Sequence, residues 1–361
     1  MYQKRGTETI SDNKKVCIIG AGASGLMSAI SAARCGACVT VLEHKDSAGK
    51  KLLLTGNGKC NFTNRILNAS CYHEYEGSRI CSFIRRFDND DVTTFFRSIG
   101  INSTESDGYV YPESRKAEDV VNALLCECRK LGVEFQFNVR EISIEKLRDN
   151  YDAVIIATGG RSYPKTGSNG SGYKFLEQLG VRYSRVLPAL CAVYSDNPFC
   201  CIHKGERVLG RVSLVIGGKV SEYSATGEIQ ITDYGFSGIP VFQISRYASK
   251  AIDNDESVEL IADFDISKDD VPEFLRNHTI KPEYSTVRAN VLKTSGFDKA
   301  QVCTGGVELE KLDDNLQIID APNVYLCGEI IDVDGICGGY NLQWAWTSGY
   351  IAGSAAGGKA C

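Results

Sequence analysis

KKVCIIGAGASGLMSAISAARCGACVTVLE, residues 14–43, reads as strand, glycine turn, helix and a second strand closed by an acid. Val16, Cys17, Ile18 and Ile19 form an unbroken apolar run, the pattern of a parallel strand covered on both faces. Gly20, Gly22 and Gly25 have the G-x-G-x-x-G spacing. In such a turn the first glycine permits the bend, the second lets a pyrophosphate approach the backbone, and the third lets helix and strand pack closely. The helix expected from about Ala23, with Ser24 in its first turn, would aim free N–H groups and its positive dipole end at that phosphate. Glu43 stands 18 residues beyond Gly25, within reach of a ribose hydroxyl. Strand, turn, helix and acid together predict a bound dinucleotide. The alternative is a tight turn with incidental glycines.

The chain has 361 residues, enough for two or three domains with a large buried core. Its apolar content of 43% and charged content of 24% are ordinary for a globular protein. A net charge of −5 offers no bulk attraction for nucleic acid or an anionic membrane. The basic pairs Lys50–Lys51 and Arg85–Arg86 read as solvated faces or cofactor contacts. The polar start MYQKRGTETISDN lacks the apolar centre of a signal peptide, and no run nears the ~20 apolar residues of a membrane span. A cytoplasmic protein is expected. Among the 15 cysteines the single C-x-x-C spacing, Cys35–Cys38, spans the turn from the expected helix into the second strand and has no second pair to complete a zinc site, so free, reduced thiols are expected.

Beyond Glu43 comes a loop rich in glycine and lysine, then a mainly helical stretch from Gly77 to Ile99, a short hairpin and an amphipathic helix ending at Gly132. GVEFQFNV and YDAVIIATGG read as two further strands. From about Pro188 to Pro240 short alternating strands take over, and residues 255–300 hold charged, helix-like segments. VYLCGEIIDVDG returns to a buried strand, and GGYNLQWAWTSGYIAGSAAG opens a terminal helix. The chain thus begins and ends in the same kind of α/β element.

Four segments together resemble a known family: GAGASGLMSAI (20–30), GKKLLLTGNGKCNFTN (49–64), ATGGRSYPKTGSNGSGY (157–173) and CGEIIDVDGICGGYNLQWAWTSG (327–349). They are similar to the BaiN/YhiN-like NAD(P)/FAD-dependent oxidoreductases, also labelled aminoacetone oxidases. ITDYGFSGIPVFQIS (231–245) and GGV (305–307) carry the likeness over nearly the whole chain. The resemblance implies FAD and a discontinuous glutathione-reductase-like FAD-binding Rossmann domain. It also implies an inserted β-barrel domain with a helical segment, shorter here than in typical members. The expected divisions are 1–186 for the first part of the FAD domain, 187–250 for the barrel, 251–305 for a short helical segment and return strand, and 306–361 for the closing part. Gly180–Val181 departs from the G-H that many members carry.

For cofactor contacts the resemblance adds Lys50, Lys51, Gly56, Asn57, Gly58, Cys60 and Asn61 from the loop, whose N–H groups could cradle an anion. Val139, Ala157, Thr158 and Gly159 are expected near the adenine side, with simple strand ends as the alternative. Gly328, Glu329 and Asp332 are expected along the ribityl chain and pyrophosphate, with an exposed turn acid as the alternative for Asp332. Gly338, Gly339, Tyr340 and Asn341 open the last helix, whose positive end would face the flavin pyrimidine and stabilise charge there. Cys60 reads either as a thiol acting beside the flavin or as inert packing.

Reduction of an activated C=C bond needs hydride from flavin and a proton from a positioned acid. Tyr163, Arg161, Tyr111 and Tyr340 lie in family-like motifs that could supply it, each with a structural alternative. The four histidines, His44, His73, His203 and His278, read as surface residues. No second G-x-G-x-x-G occurs in the insertion, so NAD(P)H, the expected donor, would bind transiently in the substrate cleft. The resemblance implies a small-molecule substrate of steroid or bile-acid type. Rival readings are an FAD-dependent amine oxidase using O₂, a flavin-binding redox sensor, and a plain NAD-binding enzyme.

Overall fold

A computed structural model describes residues 13–73, 79–266 and 284–359. Its first strand (Lys15–Ile19) is central to a five-stranded parallel sheet. Cys38–Leu42 and then Glu134–Gln136 lie on one side of it, and Ala153–Ile156 and then Val324–Leu326 on the other. Val16, Cys17 and Ile18 are fully buried, as the continuous apolar run requires. Because Val324 pairs with Val154, the chain leaves this sheet after residue 156 and rejoins it near its end. The Rossmann-type domain is therefore discontinuous.

The opening helix (Ala23–Arg34) runs beside the closing helix (Tyr340–Ala356). Small residues at spacing four let the two backbones touch. A Cβ on Gly349, Gly353 or Gly357 would fall 2.5, 2.4 or 2.9 Å from the carbonyl oxygens of Ser24, Ser28 and Ala32. The expected helical stretch after residue 77 is two helices, Arg79–Ile84 and Asn89–Ser98. Asp88 divides them, because its side chain accepts from the Asp90 and Asp91 amides in a capping box.

The insertion builds a seven-stranded antiparallel sheet, in the order Thr286–Asn290, Val258–Asp263, Arg207–Ile216, Lys219–Thr232, Gly235–Ser237, Val193–Tyr194, Lys293–Thr294. The two outer strands are consecutive in the chain. Val291 donates to Val258 O at 2.8 Å and Leu292 to Tyr194 O at 2.9 Å, so one strand changes partner and closes the sheet on itself. The helix Ile239–Asp253 packs Val241, Ile244 and Ala248 against it.

For residues 251–305 a short helical segment and a return strand are expected, yet their described parts supply three strands of this sheet before the return strand. VELIAD at 258–263 alternates buried and half-buried positions, a strand period rather than a helical one. A boundary at 250 falls inside the closed sheet, and residues 267–283 lie outside the described ones. Leu187–Ala189 pairs with Val302–Thr304 where the chain passes between the two halves. Each half has its own apolar core, with a small third cluster around Ala189, Leu190 and Val302 at the passage.

Candidate functional site: a dinucleotide cavity at the glycine turn

The three glycines of the turn do different work. A Cβ on Gly20 would lie 2.6 Å from Ala157 O, and one on Gly25 would lie 2.0 Å from Gly20 O. Those two are required by close backbone packing. A Cβ on Gly22 would meet nothing within 4 Å, since it points into open space that belongs to a cavity. Glu43, 8% exposed, steadies the turn from the end of the second strand. One carboxylate oxygen accepts from Ala21 N–H and the other from Lys45 N–H, both at 2.8 Å, and each keeps a lone pair for a further donor.

The cavity holds about 710 Å³. Gly20 to Ser24, Glu43, Val139, Ala157 to Gly159, Gly328 and Glu329 line it, together with Asn341, Leu342 and Ala345 from the start of the closing helix. His44, Thr158 and Ser168 also line it, and their Nε2, Oγ1 and Oγ atoms are buried without a hydrogen-bond partner among the described residues. Buried polar atoms are rarely left unpaired. A dinucleotide with its hydroxyls and phosphates fits a cavity of this size beside the Gly22 gap, where polar side chains of the lining are left unpaired. His44, read from the sequence as a surface residue, is therefore cavity-lining. Its only sequence signal is adjacency to Glu43.

Lys51 and Glu329 sit on the wall as an ion pair, Nζ to Oε2 at 2.7 Å. Lys51 also donates to Ser162 Oγ at 2.5 Å. Glu329 accepts from Cys303 N–H at 2.8 Å, Ser162 Oγ at 3.2 Å and Gly160 N–H at 3.3 Å. Lys50 pairs with Asp46 at 2.6 Å. Both lysines of the Lys50–Lys51 pair are thus neutralised by protein carboxylates.

Several expected contacts lie elsewhere. Gly56, Asn57, Gly58, Cys60 and Asn61 do not line the cavity. Asn61, with its amide oriented to satisfy its neighbours, accepts from Gly339 N–H at 3.2 Å and donates to Thr63 O and Val110 O. That side chain caps the closing helix and takes one of the amides expected to face the flavin. Gly338 and Gly339 are demanded by packing, because a Cβ would fall 2.8 Å from the Tyr340 ring or 2.6 Å from Thr63 O. Asp332 is not an exposed acid. It accepts from Gly305 N–H and Ser184 Oγ, both at 2.8 Å, and pins the return strand away from the cavity.

The proposed proton donors separate in the same way. Arg161 is exposed, its guanidinium 4.7 Å over Phe297, and Tyr163 donates its N–H to Phe297 O at 2.8 Å. Tyr111 lies under the Arg115 guanidinium. None of the three lines the cavity. Cys60 is fully buried, and burial pushes its thiol up to about 12, so it stays protonated and unreactive. Tyr340 does not line the cavity either; it is packed at the helix start beside Asn341, which does, and burial holds its phenol well above the ordinary range.

A parallel sheet with a dinucleotide turn, interrupted by a closed antiparallel domain, defines an FAD-binding Rossmann-type oxidoreductase. The profile described as HI0933-like protein Rossmann domain matches residues 14–355, and the chain belongs to that family. It is 36% identical over 405 residues to the 3-dehydro-bile acid delta(4,6)-reductase of Clostridium scindens, covering 95% of this chain and 98% of that protein. It is 27% identical to the ribosomal RNA dihydrouridine synthase of Escherichia coli, covering 92% and 95%. The solved 3-ketosteroid-delta4-(5alpha)-dehydrogenase of Rhodococcus jostii shares the fold with a TM-score of 0.51 and 15% identity, over 99% of this chain and all of that one. No helix among the described residues is long and apolar enough to cross a membrane.

Proposed function

We propose that the protein binds FAD in the 710 Å³ cavity and reduces a C=C bond of a steroid or bile-acid-like small molecule, with NAD(P)H as donor. The cavity carries this reading: it has room beside the Gly22 gap and the open lone pairs of Glu43, and its lining residues include His44, Thr158 and Ser168, each with a buried polar atom left unpaired. Gly22 admits the pyrophosphate, Glu43 receives a ribose hydroxyl, and Val139 lies against the adenine. When bound, FAD supplies hydride chemistry at its N5. Lys51 and Glu329 fix the wall, joining the basic loop to the turn before the closing helix. The first-turn amides of that helix beyond Gly339 lack intrahelical partners and can face developing negative charge.

The likeness to a bile-acid reductase supports the substrate class, and the net charge of −5 supports a small molecule over a polyanion. Tyr340 is the proposed proton donor, because it opens the cavity-lining helix and holds its proton at neutral pH. The location we propose is the cytoplasm, in keeping with the free thiols found at every described cysteine.

The purified protein should be yellow, with absorbance near the ~450 nm expected of a flavin. Under anaerobic conditions NADH or NADPH should bleach it. A 3-oxo steroid with a conjugated double bond should then restore the colour faster than ribosomal RNA or O₂. Fastest recovery with O₂ would make it an oxidase. A colourless protein that takes up no FAD would end this reading.

A further inference from the structure

Outside the cavity the largest group of buried charge lies where the insertion meets the cofactor domain. Arg246, 5% exposed, leaves the insertion helix and reaches three separate segments of the other half. Its Nη1 donates to His73 O at 3.0 Å, and its Nη2 donates to Thr304 Oγ1 at 2.6 Å and lies 3.2 Å from Asp334 Oδ1. Asp334 is 1% exposed, and His73 N–H donates to its carbonyl at 2.8 Å. The next residue, Gly335, is clasped by Asn341: its N–H donates to Oδ1 and its C=O accepts from Nδ2, both at 2.9 Å. Asn341 lines the cavity. A continuous set of contacts therefore runs from the insertion helix to the cavity wall.

We propose that Arg246 is a positioning residue for the cofactor cavity, holding Asp334 and Gly335, and through them Asn341, while Asp334 is ionised. The inference rests on the FAD reading above. A guanidinium keeps its charge, so the state of the pair is set by the carboxylate. Neither Asp334 oxygen, nor Arg246 Nε, has an aligned hydrogen bond among the described residues. Arg246 and Asp334 thus meet as an ion pair 3.2 Å apart without an aligned hydrogen bond between them, which makes the contact sensitive to one proton.

Burial pushes Asp334 up to about 7. Arg246 and Lys250 on the insertion helix and Thr304 on the return strand oppose that rise, and Asp332 on its own segment adds to it. His73 faces the same cluster, with Tyr247 OH 3.1 Å from its Nδ1. Protonation of Asp334 would leave Arg246 with the His73 carbonyl, the Thr304 hydroxyl and the Tyr247 ring 5.5 Å from its guanidinium.

The test uses the full chain. The absorbance of bound FAD is followed from pH 5.5 to 8.5, and FAD affinity is measured by fluorescence quenching. Wild type should show an inflection near pH 7, kept in His73→Gln and lost in Asp334→Asn. Arg246→Met should weaken FAD roughly tenfold, with partial recovery in Arg246→Lys. An inflection that survives in Asp334→Asn, or vanishes in His73→Gln, overturns the proposal. So does normal FAD affinity in a folded Arg246→Met.

Hydrogen exchange at Gly335 and in the first turn of the closing helix, measured without cofactor, separates the two readings. Faster exchange in Asp334→Asn and Arg246→Met supports the latch even if wild type takes up no FAD. Unchanged exchange overturns it.

Discussion

Lys51 and Glu329 meet on the cavity wall with Nζ 2.7 Å from Oε2, and this contact ties a loop near the start of the chain to the turn before its last helix. Glu329 also holds the amides of Gly160 and Cys303, so one carboxylate gathers four segments of a discontinuous domain. Replacing it with glutamine should leave Lys51 half-buried without its anion. A loss of roughly 1–3 kcal/mol is expected, visible as a lower melting temperature in both the presence and absence of FAD. An unchanged melt would mean the contact is dispensable.

Gly22 and Gly25 should respond oppositely to the same substitution. Gly22→Val adds a side chain in open space, so the apoprotein should fold normally and fail to retain FAD. Gly25→Val would drive a Cβ into Gly20 O and should lower the yield of folded protein itself. Circular dichroism read beside flavin absorbance distinguishes the two.

The helix crossing gives a prediction free of cofactor. Gly353→Val places its Cβ 2.4 Å from Ser28 O, where backbone rather than a flexible side chain must yield. A destabilisation of about 3 kcal/mol or more is expected in denaturant unfolding. A cost below about 1 kcal/mol would contradict the backbone contact between these helices.

Stability should carry a signature of Asp334. Its folded value of about 7 lies above the ordinary 3.8, so between those values the folded state holds a proton that the unfolded chain releases. The stabilisation from this group is complete below pH 4 and is lost as pH rises toward 7. Asp334→Asn should flatten that part of the pH–stability curve, and an identical slope in the variant would sink the assignment.

Alkylation should sort the thiols by environment. Burial raises Cys17, Cys60, Cys128, Cys303 and Cys327 to about 12, whereas Cys38, Cys126 and Cys201 are exposed. Native-state labelling at neutral pH should modify the exposed set first, as read by peptide mass spectrometry. Early labelling of Cys60 would reopen a chemical role for it.

The glycine turn and Glu43 were legible because their constraint is local: backbone approach and strand ending are written into a short window. The Gly349, Gly353 and Gly357 spacing was visible as small residues, but its partner on the opening helix was not. The strands at 258–263 and 286–290 were misread because charged residues on their open face resemble a solvated helix. His44 and Ser168 were missed because neither belongs to a spacing that chemistry requires. Asp332 was assigned a solvent or cofactor partner when its acceptors were already filled by Gly305 and Ser184.

By itself the sequence determined the nucleotide-binding βαβ unit and the discontinuity of its domain, since apolar periodicity and glycine geometry act over a few residues. Only the tertiary structure decided which polar atoms stay unpaired around the cavity and which are satisfied by residues more than a hundred positions away. Hydrogen-bond satisfaction is a property of the folded neighbourhood: Asp332 and Asn61 carry the same kinds of side chain as residues that line the cavity, and only their partners distinguish them.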